Sequence, residues 1–529
     1  MHFNIFDVQF NLLCIIHLQW KMPFLNRAMK FDFYTNTFLQ QEISPAKLAI
    51  AAADRDLSWK ELSAEVDHYC ELFSELKIPK GHPVILHGHK EAGFMAAMLA
   101  AAKCRLPYVP LDTIIPPERV KKIIDVTGSQ VFVEFSNDKY EVEIPVFIGP
   151  DLKIRKNKEP EFNTDNTFWF DQDPLFYIIF TSGSTGEPKG VQITHEAIRS
   201  YIDWMERDYG FNGDEVFVNQ APFSFDLSVY EVLFSMHLGG SIILNSNDIS
   251  RSPSTFVKRV VKYNGTVWVS TPSFAYLFLL EPSFTGSILT SLHTFLFCGE
   301  ELPNRTAKKL LDLFSSARVL NTYGPTEATV STTFVNIDRK ITELFPVLPV
   351  GFPKYTCEIL ILNEQNDPSL SGEIIIAGDN VSIGYLKNPE LTTEKFYLHN
   401  GKRAYRTGDF GQMKDGMLFF SGRKDEQVKL NGYRIELGDI NSQILLLDLV
   451  SDAVTVPLRS GAVVKKIVSF VTLKRKLNNI EAKNTILESL KRKLPEYMVP
   501  GDIRIIMEFP YSNNHKIDKK KLIDWYTNS

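Results

Sequence analysis

The feature that most constrains the fold of this chain is its alternation of short apolar runs with helical segments. Between about residues 45 and 345, strand-like runs each precede or follow a segment with helical spacing, namely PVILHG (83–88), LFYIIF (175–180), SIILN (241–245), TVWVS (266–270), TFLFCG (294–299) and RVLN (318–321). This is the rhythm of β-α-β units, which form mostly parallel sheets covered by helices. The segment 58–76 has the clearest helix start, because Ser58 can cap it and Glu61 follows three residues later.

The pattern changes after about residue 345. The runs CEILIL, GEIIIAG and GMLFFSG are separated by Gly, Asn and Asp, which indicates a smaller antiparallel region. From about residue 425 a lysine-rich segment with mixed helices and strands runs to the end. We therefore expect an α/β protein with a large N-terminal lobe of mixed sheets and helices, an antiparallel subdomain, and a small α+β C-terminal cap. The expected boundaries are 29–424 for the core domain and 425–529 for the cap domain.

The charge and cysteine content limit the partners of the chain. The 529 residues contain 58 Lys+Arg and 63 Asp+Glu, a net charge of -5, so no global basic field exists for nucleic acid. Any anion must therefore be bound locally. The 5 cysteines are scattered, odd in number and without a C-x-x-C pair, which argues against a disulfide framework or a zinc site. We expect a cytoplasmic enzyme of several domains.

Residues 1–28 differ from the rest of the chain. Their apolar run, 12–18, is interrupted by His17 and is too short to span a membrane. They also lack the basic region and small-residue cleavage site of a signal peptide. We expect a disordered or loosely docked extension, or a chain whose translation starts at Met29, and no stable membrane insertion.

The segment 178–198, IIFTSGSTGEPKGVQITHEAI, predicts an anion-binding loop. A strand runs into Thr181, and the following stretch to Gly190 combines glycines, four hydroxyl side chains and Lys189. Glycines let backbone amides converge on an anion, while hydroxyls and the lysine add donors and charge. The spacing is wrong for a Walker A loop, and no Ser or Thr follows Lys189. A flexible hairpin that only connects two strands would not require this combination of glycines, hydroxyl side chains and a lysine.

The run TSGSTGEPKG resembles the phosphate loop of the adenylate-forming superfamily. Other signatures of that superfamily follow in order, and they are LPYVPLD (106–112), APFSFDLSVYE (221–231), NTYGPTEATV (321–330), GEIIIAGDNVSIGYLKNPE (372–390), YRTGDFG (405–411), GRKDEQVKLNGYRIELGDI (422–440), LPEYMVP (494–500) and NNHKIDKKKL (513–522). The resemblance covers about residues 35 to 525. The phrasing of QAPFSFDLSV, STPSFAYL and TFLFCGEELPN is similar to one branch, the D-alanine–D-alanyl carrier protein ligases.

The resemblance implies an ATP-dependent, AMP-forming ligase with Mg²⁺ as a cofactor. D-alanine would be activated as an adenylate and transferred to the phosphopantetheine thiol of a carrier protein, as in the D-alanylation of cell-wall teichoic acid. The resemblance also implies a monomer whose cap is mobile. Two alternatives stay open. The chain could activate another small amino acid in a peptide-synthetase-like pathway, or it could be a silent homologue that only binds nucleotide or a carrier.

The resemblance also assigns roles to individual residues. Lys516 would be the catalytic lysine, Glu327 the Mg²⁺ ligand and Asp425 the hinge. The substrate would be bound by Asp226, Cys298, Val330 and Lys516. ATP would be bound by Thr181, Ser182, Gly183, Ser184, Thr185, Gly186, Lys189, Asn321, Thr322, Tyr323, Gly324, Pro325, Thr326, Asp409, Phe420, Ser421, Gly422, Arg423 and Lys516.

Some of these residues have competing interpretations. Lys516 lies among other lysines, and His515 stands where the superfamily motif has glycine. Asp226 either pairs with the ammonium group of an amino acid or caps a helix starting near Ser228. Cys298 is expected to line a pocket rather than to act as a nucleophile, since nothing nearby lowers its pKa. We expect His195 to pack at a helix start, because a substrate carboxylate is already ionised and adenylation needs no base.

Overall fold

This computed structural model describes residues 33–136, 143–149, 151–162, 174–183, 187–423, 426–460, 463–475, 477–510 and 517–528. The predicted extension, residues 1–28, lies outside these ranges. So do the predicted site residues Ser184, Thr185, Gly186, Asp425 and Lys516.

The first part of the described chain builds a complete sheet and the edge of another. Its elements are α1 (Phe33–Ile43), β1 (Leu48–Ala51), β2 (Asp56–Ser58), α2 (Trp59–Glu75), β3 (Val84–Gly88), α3 (Ala92–Lys103), β4 (Tyr108–Asp112), α4 (Pro117–Thr127), β5 (Val131–Glu134), β6 (Val146–Ile148), β7 (Ile154–Lys156), β8 (Leu175–Thr181), β9 (Lys189–Thr194) and α5 (His195–Tyr209). The helix predicted after Ser58 is α2, and Ser58 and Glu61 form a capping box at its start.

The next part completes the second sheet. Its elements are β10 (Val216–Asn219), α6 (Val229–Leu238), β11 (Ser241–Leu244), α7 (Asn247–Ser250), α8 (Pro253–Lys262), β12 (Val267–Ser270), α9 (Pro272–Phe278), β13 (Thr294–Phe297), α10 (Asn304–Leu313), β14 (Arg318–Tyr323), β15 (Thr333–Asn336), α11 (Arg339–Leu344) and β16 (Phe352–Pro353). A 3₁₀ turn, Asp226–Ser228, precedes α6, and another, Thr326–Ala328, follows β14.

Two large sheets confirm the expected parallel architecture. The nine-stranded sheet has the order β16-β15-β14-β13-β12-β10-β11-β1-β2, and the seven-stranded sheet has the order β7-β6-β5-β3-β4-β8-β9. The inner strands of both sheets pair in parallel, while β2, β15, β16, β7 and β9 add antiparallel edges. Each crossover between parallel strands requires a connection of the kind that the helical segments supply.

The main hydrophobic core includes residues from both sheets and from the helices α2, α3, α5 and α6. Helix α3 is buried from Ala92 to Ala102 without interruption. Its many alanines explain this position, because small side chains on every face allow a helix to be enclosed on all sides.

The last part forms the antiparallel sheet and the C-terminal cap. Its elements are β17 (Cys357–Leu362), β18 (Ser371–Gly378), α12 (Pro389–Lys395), β19 (Phe396–His399), β20 (Lys402–Lys414), β21 (Met417–Arg423), β22 (Gln427–Leu430), β23 (Tyr433–Glu436), α13 (Leu437–Leu445), β24 (Val450–Ser460), β25 (Val463–Leu473), α14 (Asn479–Lys493), β26 (Asp502–Ile505) and α15 (Lys519–Thr527). The predicted antiparallel region is the sheet β17-β18-β20-β19, with β21 paired to β20.

Two further sheets follow residue 425. Strands β22 and β23 form a hairpin, called here the site hairpin (427–436), and β24, β25 and β26 form a three-stranded sheet. Val428 and Ile435 anchor the site hairpin in a hydrophobic cluster built from cap residues. The site hairpin thus packs with residues that follow it in the chain, although its tip contacts Glu300 through Gly432.

Candidate functional site

The candidate site is a pocket where the strands β13 and β14 end and the site hairpin begins. Carboxyl ends of parallel strands are the usual place for ligands in sheets of this kind. The residues that line the pocket come from five places in the core domain and from the site hairpin, and they are Phe225, Asp226, Leu227, Cys298, Gly299, Gly324, Pro325, Thr326, Val330, Asp409, Arg423, Gln427, Lys429, Gly432 and Arg434. The fold therefore brings together side chains that are up to about 200 residues apart in the sequence.

Asp226 supplies this pocket with a buried carboxylate. It begins the 3₁₀ turn before α6 and is 7% exposed. The cap position of α6 is occupied by Ser228, so the alternative helix-capping role of Asp226 does not describe the structure. Burial raises the pKa of Asp226 to about 6, whereas a hydrogen bond with Thr326 acts to lower it. A carboxylate in this setting would be stabilised by a cationic group entering the pocket.

Cys298 and Val330 form an adjacent wall. The thiol of Cys298, which directly follows β13, lies 3.8 Å from the carbonyl oxygen of Val330. Burial raises the pKa of this thiol, which agrees with the prediction that Cys298 is not a nucleophile. Thr329 and Val330 both have positive φ, 53° and 66°, although both are β-branched. Such conformations cost about 1–3 kcal/mol each and persist only where the surrounding structure holds them, which is common at ligand sites.

Glu327 is fully buried and ionised. Nη1 of Arg434 donates to both of its carboxylate oxygens, at 3.0 and 2.7 Å, and the Tyr385 hydroxyl donates to one of them at 2.8 Å. Burial alone would raise the pKa of Glu327, but Arg434, Tyr385 and Lys189 together lower it to about 2. The charge that balances Glu327 in this structure therefore comes from the site hairpin.

The surroundings of Glu327 bear on its predicted role as a magnesium ligand. Among the residues that the structure describes, no three His, Cys, Asp or Glu side chains form a group that could hold a metal ion. A lone carboxylate nevertheless suits Mg²⁺, which takes most of its ligands from phosphate oxygens and water. The oxygens of Glu327 would be available to a metal once Arg434 has moved away.

The described part of the phosphate loop contacts the site hairpin. The Ser182 hydroxyl donates to the carbonyl oxygen of Arg434 at 2.9 Å and accepts from the amide of Glu436 at 3.3 Å. The ammonium group of Lys189 lies 3.7 Å from a carboxylate oxygen of Glu436, and burial lowers the pKa of this lysine. Gly183 has no room for a side chain, since a Cβ there would lie 2.2 Å from the carbonyl oxygen of Glu187.

Asp409 and its neighbours form the part of the site that the sequence assigned to the nucleotide. The Tyr323 hydroxyl donates to one carboxylate oxygen of Asp409 at 2.6 Å, and the guanidinium of Arg423 pairs with the other. The rings of Tyr323 and Phe420 lie 6.1 Å apart. Pro325 and Thr326 lie two and three residues after the end of β14, and Ser421 and Gly422 belong to β21. The predicted nucleotide residues of these segments therefore lie close together.

Two residues of β14 differ in their surroundings. Asn321 donates to the carbonyl oxygen of Pro349 at 2.8 Å, while its own Oδ1 is buried without a hydrogen-bond partner in the described part of the chain. The Thr322 hydroxyl instead donates to the carbonyl oxygen of Phe297 at 2.8 Å and links β14 to β13. Asn321 thus has a free acceptor, whereas the side chain of Thr322 is used inside the protein. Gly324 has no room for a Cβ, which would lie 2.4 Å from Ser331 Cα.

His195 occupies the start of α5, as predicted. Its Nδ1 lies 3.0 Å from a guanidinium nitrogen of Arg105, and its ring packs edge-on against Phe176. Burial and the nearby Arg105 lower the pKa of His195 to about 3, so the ring is neutral at physiological pH. These contacts place His195 in a packing role outside the pocket.

Several residues that the structure brings to the site were not predicted from the sequence. They are Arg434, Glu436, Gly432, Glu300 and Tyr385, and Gly432 donates its amide to Glu300 at 2.7 Å. The motif GYRIE contains three of them. The motif alone does not show that this hairpin contacts the carboxylate of Glu327, which lies more than 100 residues earlier in the chain. A charged pair, Arg434 and Glu436, within an otherwise apolar strand was the available signal.

A comparison with protein families gives the class of protein. The family described as AMP-binding enzyme matches residues 39–386, which contain the phosphate loop and most of the pocket. Curated relatives cover nearly the whole chain. A D-alanine–D-alanyl carrier protein ligase of Bacillus cytotoxicus is 37% identical over 495 residues, covering 92% of this chain and 97% of the relative. A ligase of the same name from Bacillus anthracis is 36% identical over 493 residues with the same coverage.

Solved structures share the fold. An adenylation domain of Vibrio cholerae in complex with glycyl-adenosine-5'-phosphate has a TM-score of 0.80 at 21% identity and covers 96% of this chain and 99% of its own. An o-succinylbenzoate CoA synthetase of Bacillus subtilis has a TM-score of 0.77 at 20% identity and covers 92% and 98%. The chain is therefore an AMP-binding enzyme, and by its relatives it belongs to the D-alanine–D-alanyl carrier protein ligase family.

Proposed function

We propose that this enzyme activates D-alanine with ATP as an aminoacyl-adenylate and then transfers the aminoacyl group to the thiol of a carrier protein. The observation that supports it most directly is the buried carboxylate of Asp226 in a small pocket that also contains Cys298 and Val330. The curated relatives carry the corresponding name.

Asp226 is suited to bind an amino-acid ammonium group. A buried carboxylate needs a cationic partner or several hydrogen bonds, and Thr326 is the hydroxyl that bonds to it here. A fatty acid offers no such cation. Phe225 and Leu227 line the same pocket with Cys298, so the space beside the carboxylate has apolar walls. These features favour a small amino acid over a long or polar one.

The nucleotide would lie between the phosphate loop and Asp409. Thr181, Ser182 and Lys189 would bind its phosphates through hydroxyls and one positive charge, and Thr326 would contact the α-phosphate. Asp409 would accept hydrogen bonds from the ribose hydroxyls, and Asn321 Oδ1, which is free among the described residues, would accept one from the adenine edge. Glu327 would hold Mg²⁺, which supplies charge neutralisation for the phosphates when bound.

Lys516 is the proposed catalytic residue of adenylation. An ammonium group can bridge the substrate carboxylate and the α-phosphate, and it offsets the repulsion between two anions as they approach each other. Lys516 lies outside the described residues, but its neighbour Ile517 packs in a cluster whose members all come from the cap. We propose that the cap begins near the predicted hinge, Asp425, and turns about it to bring Lys516 to the nucleotide.

The transfer step needs a path for the carrier thiol. A second cavity, of about 160 Å³, lies between the core domain and the cap and is lined by Ser273, Glu300 and Asn431, among others. Glu300 accepts the amide of Gly432, which lines the first pocket, so the two cavities are neighbours. We propose that the phosphopantetheine arm of the carrier enters through this second cavity.

The described residues include no helix long and apolar enough to cross a membrane. The proposed reaction consumes ATP and requires a reduced thiol, so we place it in the cytoplasm. We propose that the chain acts as a monomer, as its resemblance to the adenylate-forming superfamily implies.

Amino-acid-dependent ATP–pyrophosphate exchange with a panel of D- and L-amino acids tests the proposal. We expect exchange that is highest with D-alanine. Exchange highest with glycine or an L-amino acid would instead assign the enzyme to another small substrate. If folded protein gave no exchange with any amino acid, the chain would be a non-catalytic homologue and the proposed reaction would be wrong.

A further inference from the structure

A buried lysine and a buried glutamate lie at the two ends of the segment that carries Asp226. Lys90 lies two residues after β3 and is 2% exposed, and Glu231 lies in α6 and is 0% exposed. Neither residue lines the candidate pocket, and neither has a part in the reaction proposed above. Burial of a charged group is unfavourable unless the group is paired and hydrogen-bonded, so the partners of these residues indicate what they do.

The ammonium group of Lys90 binds the start of this segment. Its Nζ donates to Oδ1 of Asn219, the last residue of β10, and to the carbonyl oxygen of Ala221. It also lies 4.4 Å from the centroid of the Phe223 ring, a distance at which a cation is attracted to an aromatic ring. One lysine side chain therefore contacts three residues of the segment 219–223.

Glu231 binds the same segment from α6. Its Oε1 accepts a hydrogen bond from Nδ2 of Asn219 at 3.0 Å, and the same nitrogen donates to the carbonyl oxygen of Ala221 at 3.2 Å. Oε2 of Glu231 is buried without a hydrogen-bond partner among the residues that the structure describes. Asn219 thus links Lys90 to Glu231, and we call these three residues the Lys90 network.

The two charged residues of the Lys90 network stabilise each other. Burial lowers the pKa of Lys90 to about 7, while the charges of Glu231, Asp112 and Glu91 act to raise it. Burial also raises the pKa of Glu231 to about 8, against the hydrogen bond from Asn219 and the charge of Lys90. Loss of one residue leaves the other buried without this counter-charge, which costs more stability than loss of both charges together.

The segment held by the Lys90 network ends at the carboxylate of the pocket. Asp226 lies five residues after Ala221 and five residues before Glu231. Between Ala221 and Asp226, the amide of Phe225 donates to the carbonyl oxygen of Pro222 at 2.9 Å and closes a turn. Because both ends of this short segment are fixed, the Lys90 network determines where the carboxylate of Asp226 lies in the pocket.

We propose that Lys90, through Asn219 and Glu231, positions Asp226 to bind the ammonium group of the amino-acid substrate. This inference rests on the proposed function, because that function assigns the ammonium group to Asp226. Lys90 and Glu231 are positioning residues, since they act on the substrate only through the segment 221–226. The residues assigned to ATP all lie outside 219–231, so the Lys90 network affects binding of the amino acid and not of ATP.

The kinetics of pyrophosphate exchange separate the two substrates. Lys90→Met removes the ammonium group but keeps an unbranched, flexible side chain. We expect it to raise the KM for D-alanine by roughly 10- to 100-fold, as a displaced binding group does, and to leave the KM for ATP unchanged. Lys354→Met is the matched control, because Lys354 is 1% exposed and its Nζ donates to the hydroxyl of Ser200 at 2.9 Å. It should leave both KM values unchanged.

A double variant distinguishes positioning from a general loss of stability. Lys90→Met/Glu231→Gln removes both charges and keeps an acceptor for Asn219, so it should unfold at a higher temperature than Lys90→Met. Its KM for D-alanine should nevertheless stay raised, since the contacts of Lys90 with the segment are still missing. A KM that returned to the wild-type value together with the stability would overturn the inference.

A double-mutant cycle tests whether Lys90 acts through Asp226. Two substitutions that impair the same contact are not additive, so Lys90→Met should change the KM for D-alanine little in an Asp226→Asn background. If the losses instead multiplied in the combined variant, Lys90 would act independently of Asp226 and the inference would be wrong.

Hydrogen exchange of the amides of 223–228, followed by mass spectrometry on the full chain, measures the segment without a substrate. We expect exchange to be faster in Lys90→Met and unchanged in Lys354→Met. Unchanged exchange in Lys90→Met, or faster exchange with a wild-type KM for D-alanine, would refute the inference.

Failure of the proposed function would appear in the wild type itself. If the wild type activated a different amino acid, only the proposed substrate would be wrong, and the KM for that amino acid would decide on the Lys90 network. If it activated no amino acid, both proposals would be wrong.

Discussion

At the scale of single residues, a chemical role could be assigned from the sequence only to a residue that lies in a recognisable motif. Asp226, Cys298 and Val330 are far apart in the sequence, and the structure places all of them in one pocket. Arg434 could not be predicted in the same way, because its role depends on which carboxylate the folded cap reaches. The buried pair of Arg434 with Glu327 is a property of three-dimensional packing rather than of spacing along the chain.

Because the pKa of Asp226 is raised, we predict that kcat/KM for D-alanine falls at acidic pH. Above pH 6 the carboxylate is ionised and can pair with an ammonium group, whereas below pH 6 it becomes neutral. We therefore expect kcat/KM for D-alanine to fall about tenfold per pH unit below the pKa, and Asp226→Asn to lower it roughly 10- to 150-fold at pH 7.5. Pyrophosphate exchange across pH 5–8 would measure both. An identical acid limb in Asp226→Asn would assign the titration to another group.

The position of Cys298 in the pocket wall predicts that this residue contributes to the preference for D- over L-alanine. Its side chain is buried beside Val330, so Cys298→Ala removes one sulfur atom from the wall and enlarges the space. We expect the preference for D- over L-alanine, measured as the ratio of kcat/KM values, to fall about tenfold, since one methyl-sized group discriminates by about 10- to 200-fold. Cys357→Ala, in the antiparallel sheet outside the pocket, is the control and should keep the ratio. An unchanged ratio in Cys298→Ala would remove this residue from the specificity wall.

At the scale of elements, local sequence patterns predicted most of the fold. The alternation of strands and helices indicated the parallel sheets, and the capping residues at Ser58 and Glu61 marked the start of α2. The strands β22 and β23 lie within one of the superfamily signatures, but nothing in its letters indicated that this hairpin contacts the phosphate loop. Contacts between elements that are distant in the chain depend on tertiary packing, which periodicity does not encode.

Gly432 at the tip of the site hairpin predicts a test of docking. Its φ is +85°, and a Cβ there would lie 2.2 Å from Cγ2 of Thr271. Gly432→Leu should therefore block docking and lower aminoacyl transfer from preformed adenylate by at least about tenfold, while pyrophosphate exchange stays within a few-fold of the wild type. Gly401→Leu is a matched control, because Gly401 also has a positive φ, +77°, but a Cβ there would meet no other atom within 4 Å. Equal losses in both variants would point to backbone strain instead of docking.

At the scale of the whole molecule, we assign two parts of the cap to two half-reactions. Lys516 is proposed to act in adenylation, and the site hairpin is proposed to act in aminoacyl transfer. The site hairpin contacts the pocket and the phosphate loop in this structure, and Arg119 of α4 pairs with Asp439 of α13 at 3.3 Å, which adds a buried contact between core and cap. Ile517 packs in a cap cluster whose members are Val454, Val456, Leu458, Val468, Phe470, Ile506, Phe509, Leu522, Ile523 and Tyr526. We propose that this arrangement serves the transfer step and that a different cap orientation serves adenylation.

The substitution Lys516→Ala separates the two orientations. The proposed mechanism makes adenylation depend on the charge of Lys516, so we expect pyrophosphate exchange to fall by roughly 10²-fold or more. Transfer from preformed adenylate depends on the docked site hairpin and should stay within a few-fold of the wild type. Single-turnover assays of each half-reaction measure the two effects, and Lys520→Ala, a change in the same lysine-rich segment, is the control. Equal losses in both half-reactions would contradict a cap that presents different surfaces to the core domain, since one fixed orientation would then serve both steps.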